Sequence, residues 1–299
     1  MPSRQTERRR KAMKVGFVGL GAMGRAMAGH VLRAGHDVTG IDIDPQANDA
    51  AAEQGIKIAP ELATIAATSD VVVVVVATDA QSTSVVEGLL AKDPAAGLVI
   101  AIAATNHPDT MISLEARAAQ VNVGLIDAPV VFGLRGAIEG DLGSLCGGAT
   151  AHIEKARPVL DAYSRFVEHV GGIGAGQLAK TCNNMLHWAF CVANYEVLAL
   201  SKRYGVPPAR MRDILLQCPS RSGTLERWDS TNLTWHEKDM DVALEMAQAG
   251  ELSLPLFGQV DQLVKLLNRE RFQAMMNGKD VDYLGQPIMA LSRDQGGYS

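Results

Sequence analysis

The sequence has no apolar run long enough for a transmembrane helix. Its six consecutive valines, residues 71–76, fall far short of the about 20 apolar residues that a spanning helix needs. The first ten residues are polar and lack the apolar segment of a secretory signal. We therefore expect a cytoplasmic protein with no membrane association, and we interpret the valine run as a strand buried on both faces.

Cysteine and clustered positive charge are also scarce. The four cysteines have neither paired nor metal-ligand spacing, so we expect reduced thiols and no metal site: Cys146, Cys182, Cys191 and Cys218. A net charge of −5 and a short basic cluster at residues 8–11 give no reason to expect nucleic-acid binding. We predict that residues 1–12 form a disordered basic tail. The chain of 299 residues is long enough for two domains.

A glycine-rich turn follows the first apolar segment, residues 14–18. The turn has G-x-G-x-x-G spacing and leads into a segment of helical character, residues 25–32. This order favours dinucleotide binding, because the glycines permit a tight turn and the close approach of a pyrophosphate. The alternative is a purely structural turn. We predict cofactor contacts at Gly19, Leu20, Gly21, Ala22, Met23 and Gly24.

Further cofactor contacts are expected where later strands end. Asp42 ends the second predicted strand, where an acidic side chain binds the adenosine ribose hydroxyls and repels a 2′-phosphate. Ile43 offers no cation for such a phosphate, so we expect NAD rather than NADP. Ala77, Thr78 and Thr105 follow later strands, and ligands bind at such ends in open parallel sheets. We expect them to line the cofactor cleft, although a structural role for each threonine is an equal alternative.

Strand and helix signals alternate from residue 14 to residue 170. This alternation predicts a Rossmann-like α/β domain, a doubly wound and mainly parallel sheet with helices on both faces. Within it, residues 127–140 are rich in glycine and proline. We interpret them as a turn whose backbone N–H groups bind an anion, and the alternative is a connecting hairpin.

A long helical pattern runs from about residue 174 to Tyr204 and stops at Gly205 and two prolines. A helix of this length can leave one domain and enter the next. Later segments have helical periodicity and no strand signal. We therefore predict a dinucleotide-binding domain at 13–173 and an all-α substrate and oligomerisation domain at 174–299, joined through the long helix.

Lys180 is the only formal charge within residues 169–195. A solvated helix face would carry more charges, so we expect an apolar setting, in which desolvation lowers the pKa of the amine toward neutrality. Such an amine suits proton transfer. Asn184 and His187 share its helix face at i+4 and i+7, and Asn183 is adjacent to Asn184. The alternative is a lysine that extends to solvent beside two packing asparagines.

Four motifs, in this order, resemble those of the β-hydroxyacid dehydrogenase family and together span most of the chain. Residues 16–24 resemble its cofactor motif, and Asp127-Ala128-Pro129-Val130, with the glycines after it, resembles its substrate motif. Residues 174–184 resemble its catalytic motif, and Lys238-Asp239 resembles its C-terminal motif. The resemblance implies reversible oxidation of a β-hydroxy acid by a nicotinamide cofactor, without a metal, in a homodimer or homotetramer.

The resemblance also implies roles for single residues. Lys180 would be the general acid and base, and Asn184 would orient the substrate. Lys238 would lie near the nicotinamide, and Thr105 would contact the cofactor or the substrate. We count Asn183 among the substrate-binding residues because it belongs to the catalytic motif, and His187 because it shares the helix face of Lys180.

The substrate motif departs from the family pattern, in which Ser-Gly-Gly follows the Pro-Val pair. Here these positions are Val131, Phe132 and Gly133. The serine hydroxyl and the unhindered backbone N–H that bind the substrate carboxylate are thus lost or crowded. Losing such contacts discriminates strongly between substrates, so we expect a bulkier, more apolar or differently charged substrate. Arg135 is a candidate replacement cation.

Two other functions stay open. The apolar Val131 and Phe132 would also suit an imine or aldehyde reductase of the same fold, although such relatives usually replace the lysine. A non-catalytic nucleotide-binding module is a different class, and loss of Lys180 would mark it. The sequence therefore predicts an NAD-dependent oxidoreductase that acts on a small molecule and needs neither nucleic acid nor a membrane.

Overall fold

A computed structural model describes residues 12–231 and 233–298. The predicted basic tail falls on residues 1–11, outside the described residues, apart from Ala12. The chain forms two compact units, of which the first ends at Lys180 and the second begins at Thr181. This division lies within one long helix, Ala175–Arg203, whose start is close to the predicted domain boundary.

The first unit is built on one sheet, with helices before and after most strands. Its strands are β1 Lys14–Val18, β2 Asp37–Ile41, β3 Lys57–Ile58, β4 Val71–Val74, β5 Val99–Ile102, β6 Gly124–Asp127, β7 Val130–Val131, β8 Leu142–Gly147 and β9 Ser164–Gly171. Its helices are α1 Ala22–Arg33, α2 Pro45–Ala52, α3 Leu62–Thr68, α4 Asp79–Leu90, α5 Pro108–Gln120, α6 Gly133–Glu139 and α7 Thr150–Leu160.

The sheet is mainly parallel. Its order is β3-β2-β1-β4-β5-β6-β8-β7, and β9 pairs with β8. The strands from β3 to β6 are parallel, β8 is antiparallel to β6 and β7, and β9 is parallel to β8. The predicted doubly wound, Rossmann-like sheet is therefore confirmed, with an antiparallel addition at one edge.

The valine strand β4 lies in the middle of this core. Val71 and Val73 belong to one buried apolar cluster, and Val72 and Val74 belong to the other. All four side chains have no solvent exposure. Since successive residues of a strand point to opposite faces, this confirms the prediction of a strand buried on both faces for residues 71–74. The last two valines of the run, Val75 and Val76, follow the strand and are half-buried.

The second unit is mainly helical. Helix α8 Ala175–Arg203 enters it, followed by α9 Pro208–Leu215, α10 Gly223–Glu226, α11 His236–Ala249, α12 Pro255–Val264, α13 Arg269–Met276 and 3₁₀ helices at Trp228–Ser230 and Arg293–Gln295. Its core includes the rings of Trp228 and Phe272, which stack with 4.1 Å between their centroids. Within the described residues, no helix is both long and apolar enough to span a membrane.

Two expectations from the sequence are wrong in this fold. The prediction of no strand in the second domain misses an antiparallel hairpin, β10 Val281–Tyr283 and β11 Gln286–Ile288. The turn predicted at 127–140 contains the short strand β7 and the helix α6. Neither departure changes the fold class, which is a Rossmann-like domain followed by a helical one.

Candidate active site

The glycine turn between β1 and α1 is built by close backbone packing. Gly19 has a φ angle of +94°, and a Cβ atom there would lie 2.1 Å from the Val75 carbonyl oxygen. A Cβ atom on Gly24 would lie 2.0 Å from the Gly19 carbonyl oxygen. These two glycines are therefore required by the turn itself, whether or not a ligand binds.

Gly21 differs from the other two glycines. Among the described residues, a Cβ atom built on it would meet nothing within 4 Å, so no steric contact with them demands a glycine there. Gly21 is the N-cap residue of α1 and has no side-chain cap, and both Gly21 and Ala22 are exposed. An open helix N-terminus attracts anions through its backbone N–H groups and its dipole. The residues present therefore fit the pyrophosphate of a dinucleotide.

The other predicted residues of this turn face inward. The Leu20 side chain has no solvent exposure and packs under Gly40 of β2. Met23 is half-buried against the core. Leu20 therefore contributes its backbone to the shape of the turn, and a ligand above the turn would reach Gly21 and Ala22 first.

Asp42 is tied to the glycine turn. Its carboxylate accepts hydrogen bonds from the backbone N–H groups of Leu20, at 2.6 Å, and Asp44, at 2.9 Å. Its own N–H donates to Asn48 Oδ1 at 2.8 Å. The next residue, Ile43, is 95% exposed. The carboxylate is thus fixed beside the glycine turn, where the ribose is expected, and an apolar side chain stands in solvent beside it.

The residues after β4 form a helix cap. Thr78 is the N-cap of α4, and its hydroxyl accepts from the Gln81 N–H at 3.2 Å. The Gln81 side chain accepts from the N–H groups of Ala77 and Thr78. This capping box gives Thr78 the structural role that the sequence left open. Thr105, after β5, is half-buried in the next strand-end loop.

The departures in the substrate motif lie on β7 and at the start of α6. Val131 is 6% exposed, Phe132 is half-buried and Gly133 is exposed. The Arg135 side chain is 68% exposed and pairs with Glu139 at 2.8 Å. An exposed i, i+4 pair holds its guanidinium weakly, so the pair leaves Arg135 able to reorient.

Phe132 adopts a backbone conformation that favours glycine. Its φ angle is +83°, in the left-handed region. Its ring lies 3.8 Å from the Arg165 Cζ atom, measured to the ring centroid, and meets the Phe166 ring edge to face at 6.3 Å between centroids. These two contacts with β9 fix the direction of the ring and offset part of the backbone cost.

Asp127 and Gln177 were not singled out by the sequence, although both lie in its motifs. Asp127 has no solvent exposure and accepts from the N–H groups of Gly174, at 2.7 Å, and Gln177, at 2.8 Å. Burial raises the pKa of the Asp127 carboxyl, and these backbone hydrogen bonds act in the opposite direction. A carboxylate thus caps the start of α8 and complements its dipole.

Lys180 is the last residue of the first unit and lies in the second turn of α8. Its side chain is half-buried. The helix is continuous from Ala175 to Arg203, so Lys180, Asn184 and His187 follow one another at the predicted i, i+4 and i+7 positions. The predicted long helix is therefore confirmed, and the roles of these three side chains stay predictions.

The predicted residues of the second unit lie in two small groups. Asn183 is exposed and its amide donates to Asn184 Oδ1 at 3.1 Å, while Asn184 is 8% exposed. His187 Nδ1 is 2.9 Å from the Thr224 hydroxyl oxygen. Thr224 stands outside the sequence prediction, and no spacing signal in the sequence links it to α8.

Lys238 lies in the first turn of α11 and is half-buried. The neighbouring Asp239 accepts a hydrogen bond from Trp188 Nε1 at 3.1 Å. This bond ties the start of α11 to α8 within the second unit. Lys238 therefore lies on a helix start that is anchored through its neighbour.

Two family models match the chain, one over most of the first unit and one from the start of α8 onward. Residues 14–172 match the family model described as the NAD binding domain of 6-phosphogluconate dehydrogenase. Residues 174–281 match the model described as NAD-binding of NADP-dependent 3-hydroxyisobutyrate dehydrogenase. A nicotinamide dinucleotide is therefore the cofactor class.

Related proteins align along nearly their whole length. The 3-hydroxyisobutyrate dehydrogenase of Pseudomonas aeruginosa is 31% identical over 296 residues, covering 89% of this chain and 99% of the relative. The 2-(hydroxymethyl)glutarate dehydrogenase of Eubacterium barkeri is 29% identical over 270 residues, covering 85% and 88%. In fold, the chain resembles the Mycobacterium tuberculosis 3-hydroxyisobutyrate dehydrogenase solved with L-serine, with a TM-score of 0.78, 24% identity and coverage of 89% and 98%.

The matched model covers more than half of the chain, and the Pseudomonas relative aligns with most of it. The glycine turn, the strand-end loops and the lysine helix lie where these alignments run. The chain therefore belongs to the family of NAD-binding β-hydroxyacid dehydrogenases.

Proposed function

We propose that the protein is an NAD-dependent dehydrogenase that oxidises a β-hydroxy acid or a related alcohol reversibly, with Lys180 as its general acid and base. Lys180 carries the proposal, because it is a half-buried amine on the first unit, the unit that also holds the glycine turn. When bound, the dinucleotide would take a hydride, the carbinol C–H hydrogen with two electrons, from the substrate in one direction and return it in the other.

Lys180 would handle the accompanying proton. In oxidation the neutral amine accepts the hydroxyl proton as the carbinol becomes a carbonyl, and in reduction the ammonium donates it. Positioned proton transfer of this kind contributes about 10²–10⁴-fold to the rate. Asn184 would hold the substrate one helical turn away, with Asn183 fixing its amide through the bond at 3.1 Å. Lys238 would lie near the nicotinamide, and Thr105 would contact the cofactor or substrate.

NAD is proposed over NADP because of Asp42. Its carboxylate is fixed beside the glycine turn by the N–H groups of Leu20 and Asp44, so a 2′-phosphate there would meet a negative charge. The 95% exposed Ile43 supplies no compensating cation.

The substrate is proposed to differ from the small carboxylates of typical members. Val131 replaces a serine hydroxyl with a buried apolar side chain, and Phe132 puts a ring where a glycine is usual. Arg135 remains a candidate partner for an anionic group, because its ion pair with Glu139 is exposed to solvent and therefore weak. The expected substrate is therefore bulkier or more apolar, or bears an acid other than a small carboxylate.

The test is a panel of aromatic, sulfonated and small aliphatic hydroxy acids and alcohols, assayed for reduction of NAD and of NADP. We expect turnover with NAD on a bulky or apolar member. Turnover of cyclic imines with no hydroxy-acid activity would instead support an imine reductase, which Val131 and Phe132 also suit. Tight NAD binding with no turnover of any member would support a non-catalytic nucleotide-binding module.

We also propose a homodimer or homotetramer whose subunits pair through α8. Five exposed residues on this helix repeat at alternating steps of four and three, the spacing of a coiled-coil seam: Leu186, Phe190, Ala193, Val197 and Leu200. The four large members are 40–60% exposed. Light scattering should give at least twice the chain mass of 31.8 kDa and a lower mass for Val197→Glu. A monomeric wild-type protein would contradict the pairing.

The cytoplasmic location stays a prediction.

A further inference from the structure

Gln177 joins the start of α8 to both sides of Thr105. Its side-chain Nε2 donates to the Ala104 carbonyl at 2.8 Å, and its Oε1 accepts from the Asn106 N–H at 3.0 Å. The two sequence neighbours of Thr105 and the glutamine that bonds them are all buried. Ala104 is 4% exposed, and Asn106 and Gln177 have no solvent exposure. One side-chain amide thus pairs with the backbone of the loop after β5 as a neighbouring peptide would.

Asp127 joins the same turn of α8 to β6. It accepts from the N–H groups of Gly174 and Gln177, at 2.7 and 2.8 Å. Both bonds lie at the start of α8, where the helix dipole favours an acidic side chain. The direction of the first turn is therefore set by a buried side chain of the sheet.

Gly176 allows these bonds to form. A Cβ atom there would lie 2.2 Å from the Leu145 carbonyl oxygen and 2.6 Å from Asp127 Oδ2. The helix start therefore lies against β6 and β8 with no space for a side chain. Close packing of this kind leaves the turn little freedom to shift.

We infer that Asp127 and Gln177 are positioning residues that hold Lys180 in register with the cofactor-binding loop after β5. Lys180 follows Gln177 by three residues, less than one helical turn, so the orientation of that turn sets the direction of the amine. The loop that carries Thr105 is bonded to the same Gln177 side chain. Proton transfer requires a narrow geometry, and a displacement of about 1 Å can cost about 10²-fold in rate.

This inference rests on the proposed function of Lys180, and a double-mutant cycle tests both. We expect Gln177→Met, which removes both amide bonds at similar volume, to lower kcat at least about tenfold and to change the NAD dissociation constant less than about threefold. In the Lys180→Met background, Gln177→Met should lower the residual rate no further, because its effect acts through the amine.

A readout without cofactor or substrate separates positioning from general destabilisation. Hydrogen exchange of the peptide that contains residues 174–180, measured on the free protein, should be faster in Gln177→Met than in the wild type. Ser144→Ala is the matched control, because it removes another buried hydrogen bond of the same unit, Ser144–Ser164 at 2.8 Å. It should lower the melting temperature and leave both kcat and this exchange unchanged.

The outcomes distinguish the two claims. If Lys180→Met keeps wild-type turnover, the proposed function is wrong. The positioning role is wrong if Lys180→Met is strongly impaired while Gln177→Met keeps wild-type kcat. It is also wrong if Gln177→Met lowers kcat by the same factor in the wild-type and Lys180→Met backgrounds. If Gln177→Met fails to fold, Gln177→Glu is judged by the same criteria, since it keeps the acceptor for Asn106 and loses the donor to Ala104.

Discussion

The Phe132 ring lies under the guanidinium group of Arg165, with 3.8 Å between the Arg165 Cζ atom and the ring centroid. A residue with a φ angle of +83° would ordinarily be glycine. Here the ring contacts with Arg165 and Phe166 offset part of the backbone cost. The unusual residue therefore belongs to the structure of the sheet edge as well as to the proposed pocket.

Because of the left-handed backbone, replacing Phe132 by glycine should destabilise the protein less than replacing it by alanine, the reverse of the order at most positions. Phe132→Ala loses the ring contacts and keeps the left-handed backbone cost, whereas Phe132→Gly loses the contacts and removes that cost. We expect the glycine variant to be the more stable by about 1 kcal/mol in urea unfolding. An alanine variant equal to or more stable than the glycine variant would show that the backbone here is not left-handed in solution.

Substitutions in the glycine turn should affect protein stability and NAD binding separately. Gly21→Ala places a methyl group in open space at the helix N-terminus, so we expect a melting temperature near that of the wild type and an NAD dissociation constant raised at least about tenfold. Gly19→Ala must clash with Val75 and should destabilise the protein by about 2 kcal/mol or more.

Gly258→Ala is the control for both glycine variants. A Cβ atom on Gly258 also meets nothing within 4 Å in the part of the chain that the structure describes, and the residue lies on α12 of the second unit. It should leave NAD binding unchanged. If Gly21→Ala binds NAD as tightly as this control, the pyrophosphate does not lie over Gly21.

The cofactor preference should follow the charge at residue 42. We expect Asp42→Asn combined with Ile43→Arg to raise the ratio of kcat/KM for NADP to that for NAD at least about tenfold, since a cation replaces a repelling carboxylate. Asp49→Asn with Ile43→Arg removes an equal charge from the exposed surface of α2 and is the matched control. Equal ratios in the two variants would contradict the ribose assignment.

The cysteines should differ in their reactivity. Burial raises the pKa of the thiols of Cys146 and Cys191 to about 12, because it disfavours the thiolate. At pH 8 each would be thiolate in about one molecule in 10⁴, so iodoacetamide should leave both unmodified in the folded protein. The exposed Cys182 should be alkylated first, as peptide mass spectrometry would detect. Modification of Cys146 or Cys191 before unfolding would contradict the buried environment.

Local signals in the sequence predicted much of the fold. The glycine turn, the valine strand and the long helix each carry their pattern within a few neighbouring residues. The hairpin at 281–288 does not, because its central residues Leu284 and Gly285 both have positive φ angles, 52° and 74°. Such a turn normally shows Asn or Asp with Gly, and a leucine at the first position hides it.

Contacts distant in the sequence account for the rest. Helix α6 contains two glycines, which disfavour a helix, and Gly136 is needed there because a Cβ atom would lie 2.8 Å from that of Phe132. The sequence places Gln177 in a motif but assigns it no role, because its partners Ala104 and Asn106 lie about 70 residues earlier, after β5. The predicted roles of Lys180, Asn184 and Lys238 stay predictions.

The most direct measurement compares Lys180→Met with the wild type for turnover of the best substrate and, in parallel, for NAD binding by calorimetry. We expect kcat to fall at least about 10²-fold while the NAD dissociation constant changes less than about threefold, because the amine moves a proton and the glycine turn holds the cofactor. Lys180→Arg, which keeps a cation but cannot give up its proton, should be as impaired. Wild-type turnover in Lys180→Met would contradict the assignment of Lys180 as the general acid and base.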